Sequence, residues 1–382
     1  MKKKIDSFTG LRFVMIVLII IRHCNFFTLE DNFGSFALFY KTYLWEANLP
    51  VNFFFIISGF GMMYSSLVHV NVSEMEFPKL KDGLNYGIKH IKKIYPLYIG
   101  TILFGLIAGL CFEVYNENPL LHTFVWNKLI QLLFAIPLIQ SATGITQLSH
   151  AFNGVAWFLS SLFCIYLVSP WLIYYLRKKS KTLISDVLYF ISFTFIAVIL
   201  IRLMGKIETI ILSFGDAYNC SLVYSSPYRR VFYVLTGMCI SLIFYRLHNK
   251  KNEISFTMAS LFEICIVVIT LLYHFLRNTL PGGYYLYVID IIICSVLVFI
   301  FAYDKGIVSQ FMAHSYMQKL GNMVMYIYLI HYPIRIWVGR IVEDNYGWNV
   351  VSAIILILSE LIVSYVLSLW IYNRNNQNKR SS

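Results

Sequence analysis

The sequence predicts an all-α membrane protein: a polytopic bundle of about ten transmembrane helices with both termini in the cytoplasm. Three observations predict it. Hydrophobic residues make up 58% of the 382 positions, and apolar runs of about 20 residues recur along the chain, the length needed to cross a bilayer as helix. Charged residues are only 13%, roughly half the 25% that a water-facing surface carries. That excludes a soluble globular chain, a disordered one and, despite the net charge of +12, a nucleic-acid binder. Finally, the basic clusters sit at the ends of alternate apolar runs, the pattern of short loops retained in the cytoplasm.

Taken in order, the runs lie at 8–27, 49–68, 94–113, 155–176, 183–203, 231–247, 256–276, 284–303, 321–341 and 349–372. Each covers about 30 Å at 1.5 Å per residue. Lys2–Lys4 hold the start of the first run inside. This run is retained rather than cleaved, because Arg22 and His23 interrupt its apolar core and no small-residue cleavage site follows. The 28–48 loop then faces outward, the Lys79–Lys93 loop inward and the sparsely charged 114–126 loop outward. An eleventh apolar stretch, 127–140, is short and contains Pro137. If it crossed, Arg177-Lys178-Lys179 would fall outside. As a re-entrant or interfacial segment it leaves every basic cluster inside, including Arg246–Lys251 and the tail residues Arg374, Lys379 and Arg380. The chain therefore divides into a membrane domain, 1–373, and a short cytoplasmic tail, 374–382. The surplus of positive charge orients the helices and meets anionic membrane lipid.

No phosphate-binding loop, dinucleotide fingerprint or metal-type Cys/His spacing is present, and the seven cysteines form no disulfide framework. The absence of an internal repeat weighs against a transporter built from inverted halves.

Ionisable groups inside a bilayer are costly and mark candidate functional positions. In the first span Arg12 and His23 are 11 residues apart. At 100° per residue they lie about 20° from a shared line on the helix, roughly 16 Å apart along its axis. They line one channel at two depths, or else Arg12 snorkels to the headgroups and His23 bonds a neighbouring helix. In the ninth span His331, Arg335 and Tyr328 share a face. Pro333 frees a carbonyl there. Glu263, Asp290 and Glu360 are isolated acids in other spans, and ion pairs with Arg12, Arg22 or Arg335 are the simplest expectation. The Lys89-His90-Ile91-Lys92-Lys93 run fixes topology, binds lipid, or holds the phosphates of a cytosolic ligand.

Four segments, in order, resemble the acyltransferase-3 family of integral membrane O-acyltransferases. They are Thr9-Gly10-Leu11-Arg12 with His23, Pro50 to Phe60 ending Ser58-Gly59-Phe60, the basic run ending Ile94-Tyr95-Pro96, and Leu320-Gly321 with Tyr326 to His331. Ala156 to Ser160 and Phe232 to Gly237 are weaker echoes. Where many members carry two arginines three apart, this chain has His90 and Lys93; after Trp157 it has Leu162 and Phe163 in place of acidic residues.

The resemblance implies an enzyme that moves an acyl group from cytosolic acyl-CoA, acetyl-CoA foremost, to a hydroxyl of a cell-envelope or exported carbohydrate. His23 is then the general base, with Arg12 on its helix face. Lys89, His90 and Lys93 hold the donor, and Asn52, Ser58, Trp157, Tyr328, His331 and Arg335 line the cavity for the acceptor. No metal or permanently bound cofactor is expected. The cell membrane is the expected location, and a glycan-synthesis complex an expected partner. Two readings compete: an exporter of an envelope glycan or lipid without acyl transfer, and a non-catalytic partner of a glycan-synthesis complex.

Overall fold

A computed structural model describes residues 4–117, 121–213, 220–248 and 254–378. Lys2, Lys3, Lys250, Lys251, Lys379 and Arg380, which carry part of the charge argument, lie outside the described residues. Helices account for the described architecture: α1 (Ser7–His23), the short α2 (Glu30–Phe33) and α3 (Ser35–Phe39), α4 (Asn48–His69), α5 (Leu80–Ile91), α6 (Tyr95–Glu117), α7 (Leu121–Ala135), the single-turn α8 (Thr146–Ser149), α9 (Trp157–Lys179), α10 (Leu183–Leu212), α11 (Pro227–His248), α12 (Phe256–Leu276), α13 (Tyr285–Phe301), α14 (Ile307–Ala313), α15 (Ser315–Tyr346) and α16 (Val350–Asn378). Strand-like pairing among the described residues is a lone bridge between Ile145 and Cys220.

Helix starts follow local chemistry. The Asp82 carboxylate accepts from the Lys79 N–H at 2.7 Å to open α5. Thr182 and Ser185 cap each other at the start of α10. Pro227 stands at the first position of α11, where its missing N–H costs nothing. Glu263 on α12 accepts from the backbone of Gly306 and Ser309 at 2.8 and 2.9 Å, capping α14 from across the bundle.

Each of the ten expected runs corresponds to a helix (α1, α4, α6, α9–α13, α15, α16). Among the described residues, six helical stretches are long and apolar enough to cross a membrane: Ser35–His69, Trp157–Lys179, Leu183–Leu212, Pro227–His248, Phe256–Thr279 and Val350–Asn375. The pair α5 and Tyr95–Cys111 of α6 makes a seventh if taken as one span, bent by 71°. α1 and α13, at 17 residues each, are shorter than a full crossing. α15 is long, but Asn322, His331 and Arg335 break its apolar character. α16 runs through Arg374 to Asn378, so the expected boundary at 373 is not a helix end.

The 127–140 stretch falls on α7, which ends at Ala135 with its carbonyl accepting from Tyr98 Oη at 2.6 Å. The chain turns there, inside the bundle: Gln140, Ser141, Ser149 and Asn153 are all buried. Ser160 at the start of α9 donates to the Leu138 carbonyl at 2.9 Å. Irregular backbone is tolerated at such depth because the protein itself satisfies it.

Glycines set the tightest crossings. A Cβ on Gly59 would collide with the Val234 carbonyl, and one on Gly237 with the Ile56 carbonyl, so α4 and α11 meet backbone to backbone. Gly321 of α15 sits likewise on the Thr9 carbonyl of α1. That contact lays α1 along α15 and carries His23 to His331.

Candidate active site

Pro333 lies inside α15. It has no N–H for the carbonyl four residues earlier, that of Leu329. Asn153, fully buried between α8 and α9, donates to that carbonyl at 3.0 Å and to Thr101 Oγ1 at 3.1 Å. The freed backbone group is thereby satisfied, and this stretch of α15 is pinned.

His331 lies on the pinned stretch. Its Nδ1 is 3.2 Å from the Ile327 carbonyl, and its Nε2 is 2.9 Å from Nδ1 of His23. A carbonyl can only accept, so His331 Nδ1 carries the hydrogen. In the neutral ring Nε2 is then the acceptor. His23 Nδ1 must donate to it, which leaves the lone pair of His23 on Nε2. His331 is fully buried, whereas His23 remains partly accessible. Of the two imidazoles, His23 is the one a substrate can reach.

Three turns toward the N-terminus, Arg12 lines a cavity of about 320 Å³ together with Ser58, His90, Lys93, Tyr166 and Tyr326. Among the described residues Arg12 forms no ion pair. His90 is held by an Nδ1 contact of 2.8 Å to the Tyr86 carbonyl, and its ring lies between Tyr86 and Tyr166 at 4.2 and 4.7 Å. Lys89 is exposed on α5 and does not line the cavity. Above the cavity, Ile16, Ile19, Phe54, Phe158, Val324 and Tyr328 close around an apolar slit of about 10 Å³. Ile16 and Ile19 continue the Arg12 face of α1 toward His23, and Phe54 and Phe158 line cavity and slit alike.

Beyond His23 the bundle opens again. Tyr332 packs edge-on against His23 at 5.5 Å and lines two cavities, of about 240 and 650 Å³. The smaller also holds Lys128, His150 and Trp337; the larger holds Asn25, Arg335 and Trp348. Arg335 donates to Asn25 Oδ1 at 2.7 Å. Among the described residues no cluster of His, Cys, Asp and Glu is arranged to hold a metal ion.

Arg12, Ser58, His90 and Lys93 thus gather in one cavity, and His23, His331 and Arg335 lie toward the other end of the bundle. Tyr328 lines the slit and donates to the Val155 carbonyl at 2.7 Å. Asn52 lines none of these spaces. Buried, it accepts from Arg230 and donates to Asp290 at 3.2 Å, bridging two charges. Trp157 packs against Tyr224 with the rings tilted at 53° and 4.9 Å apart, and lies under the Arg230 guanidinium at 5.5 Å.

Asp290 and Glu263 find partners other than Arg12, Arg22 or Arg335. Asp290 pairs with Arg277 through two hydrogen bonds, of 3.0 and 3.1 Å, and Arg277 also holds Glu46 at 2.7 Å. Glu263 caps α14, and neither oxygen of Glu360 accepts a hydrogen bond. Sequence reasoning missed Tyr332, Arg229 and Arg230. The charges of the two arginines, at the edge of an apolar run, read as loop, yet α11 begins ahead of both and buries them.

A comparison with curated proteins finds no match, and a comparison with solved structures finds none either. A family model described as an acyltransferase domain matches residues 5–371, nearly the whole chain. Polar groups at depth, cavities at both ends of the bundle and this match agree: the chain belongs to the acyltransferase-3 family of membrane acyltransferases.

Proposed function

We propose that the protein is an O-acyltransferase of the cell membrane, moving an acyl group, acetyl foremost, from cytosolic acyl-CoA to a hydroxyl of an envelope or exported carbohydrate. The observation that carries this reading is the His331–His23 pair, whose hydrogen-bond order leaves a lone pair on His23 Nε2 above the Arg12 cavity. The cationic cavity takes the donor, with Arg12 and Lys93 as partners for its phosphates and His90 joining them as the imidazolium, since its Nδ1 hydrogen is taken by the Tyr86 carbonyl. Lys89 adds charge at the exposed face. The extended arm of the donor follows the α1 face through the slit, which opens to admit it, and brings the thioester to His23.

A sugar hydroxyl entering past Tyr332 gives its proton to His23 Nε2 as its oxygen attacks the thioester carbonyl. When the C–S bond breaks, the imidazolium returns the proton to the leaving sulfur. The products are the ester and the free thiol, and no proton is lost or gained. His331 accepts the Nδ1 hydrogen of His23 and fixes the tautomer that makes Nε2 the base. A glycan-synthesis complex that delivers the acceptor is the fitting partner.

The test uses the full-length protein in lipid vesicles with radiolabelled acetyl-CoA and total envelope glycan. His23→Ala should accumulate and insert as wild type does yet transfer no label. Undiminished transfer by that variant would remove His23 from the chemistry.

A further inference from the structure

Positive charge is left over beside the histidine pair, at Arg22 and Arg335, and elsewhere in the bundle at Arg229 and Arg230. Arg22, next to His23, stacks over Trp45 at 4.5 Å. Arg229 and Arg230 are fully buried on the first turn of α11, where the helix dipole adds positive potential. Their contacts are neutral: Arg229 donates to Tyr233 Oη at 3.2 Å, Arg230 to Asn52 and to the Tyr224 carbonyl. Arg335 takes the Asn25 oxygen and leaves Glu360 without a hydrogen bond. The Nε groups of Arg229, Arg230 and Arg335 are buried and unpartnered.

Glu46 and Asp290 are both held by Arg277, while Glu360 faces Arg335 and Glu208 faces Arg229 from beyond ion-pair distance. Among the described residues, therefore, none of Arg22, Arg229, Arg230 and Arg335 has a carboxylate within ion-pair distance. Aromatic faces soften this arrangement without neutralising it: Arg230 alone lies over Phe55, Trp157, Tyr224 and Tyr233 at 5.2 to 5.7 Å. Burying guanidinium groups unpaired is costly. The cost is offset when a ligand brings the missing anion.

We propose that the acceptor is an anionic glycan whose carboxylate or phosphate lies beside the hydroxyl to be acylated. Its charge sits in the field of these arginines. Arg335 and Arg340 line the 650 Å³ cavity and meet it, while the partly accessible Arg22, within electrostatic range of Arg335, and the buried Arg229 and Arg230 add to the field from outside that lining. Asn25 and the face of Trp348 remain for the sugar ring. Glu343 and Asp344 also line this cavity, exposed and eight and nine residues past Arg335, so the anion sits at the Arg335 end. The proposal rests on the acyl-transfer reading and names the acceptor class for that site.

The test acylates the native envelope glycan alongside the same glycan with its carboxyls reduced to alcohols, and alongside a dephosphorylated sample. All three keep the ring hydroxyls. We expect kcat/KM to fall at least tenfold in the sample that loses the recognised charge, which also tells carboxylate from phosphate. Arg335→Gln should abolish the difference between native and charge-stripped glycan, and Arg335→Lys should keep most of it. Equal rates on all three samples overturn the anionic acceptor while leaving acyl transfer standing. No label on the native glycan, with no free thiol released, overturns acyl transfer itself and the acceptor class with it.

Discussion

The two imidazoles differ in what they can do because of a single carbonyl. Ile327 can only accept, and from that constraint the hydrogens order themselves through His331 to His23. In the proposed reaction His331 is thus a positioning residue rather than a second base. His331→Ala should lower kcat by about two orders of magnitude, as expected when a base loses its orientation, while KM for acetyl-CoA stays within twofold. An equal change in both constants would mean that His331 shapes the donor site instead. Part of this was legible beforehand: the interval between Arg12 and His23 is a property of one helix. The partner of His23 was not legible, because it stands 308 residues away and meets His23 only where Gly321 lets α15 touch α1. Asn52 was misjudged for the same reason. A polar residue in an apolar run looks like cavity lining until its neighbours are known, and here they are Arg230 and Asp290.

Among the elements, the apolar runs gave good helix positions and poorer ends. The run from 231 was read as beginning after the two arginines, yet Pro227 starts the helix a turn earlier and draws both inside. Hydropathy sees charge at a span edge; it does not see the aromatic rings that make burial tolerable. The α4–α11 crossing shows what the Ser58-Gly59-Phe60 segment is for. Gly59 is where two backbones touch, whereas Gly61, two residues on, has open space around it. Gly59→Val should therefore cost about 1–3 kcal/mol through overpacking, read as a lower melting midpoint in detergent. Gly61→Ala should leave the midpoint unchanged or slightly higher, since alanine favours helix. If both substitutions had the same effect, the crossing would not be the tight contact described.

Across the whole molecule, the proposed donor cavity and the proposed base are separated by one tight apolar slit. The cavity of about 320 Å³ narrows to about 10 Å³ between Ile16, Phe158 and Tyr328 before His23 is reached. Composition could indicate a membrane bundle and the Lys89–Lys93 cluster a donor end. The passage itself was beyond sequence reading, since its walls come from α1, α4, α9 and α15 and are plain apolar residues. A gate of this kind should separate binding from chemistry. Ile16→Phe adds bulk in the slit and leaves Arg12, His90 and Lys93 in place. Acetyl-CoA should then bind within about twofold of wild type by calorimetry, with transfer reduced at least tenfold. The opposite change, Ile16→Ala, widens the slit and should raise the rate with a longer acyl chain relative to acetyl. Were Ile16→Phe to weaken binding and spare turnover, the donor arm would have to reach His23 by another route, and the shared face of Arg12 and His23 on α1 would lose its purpose.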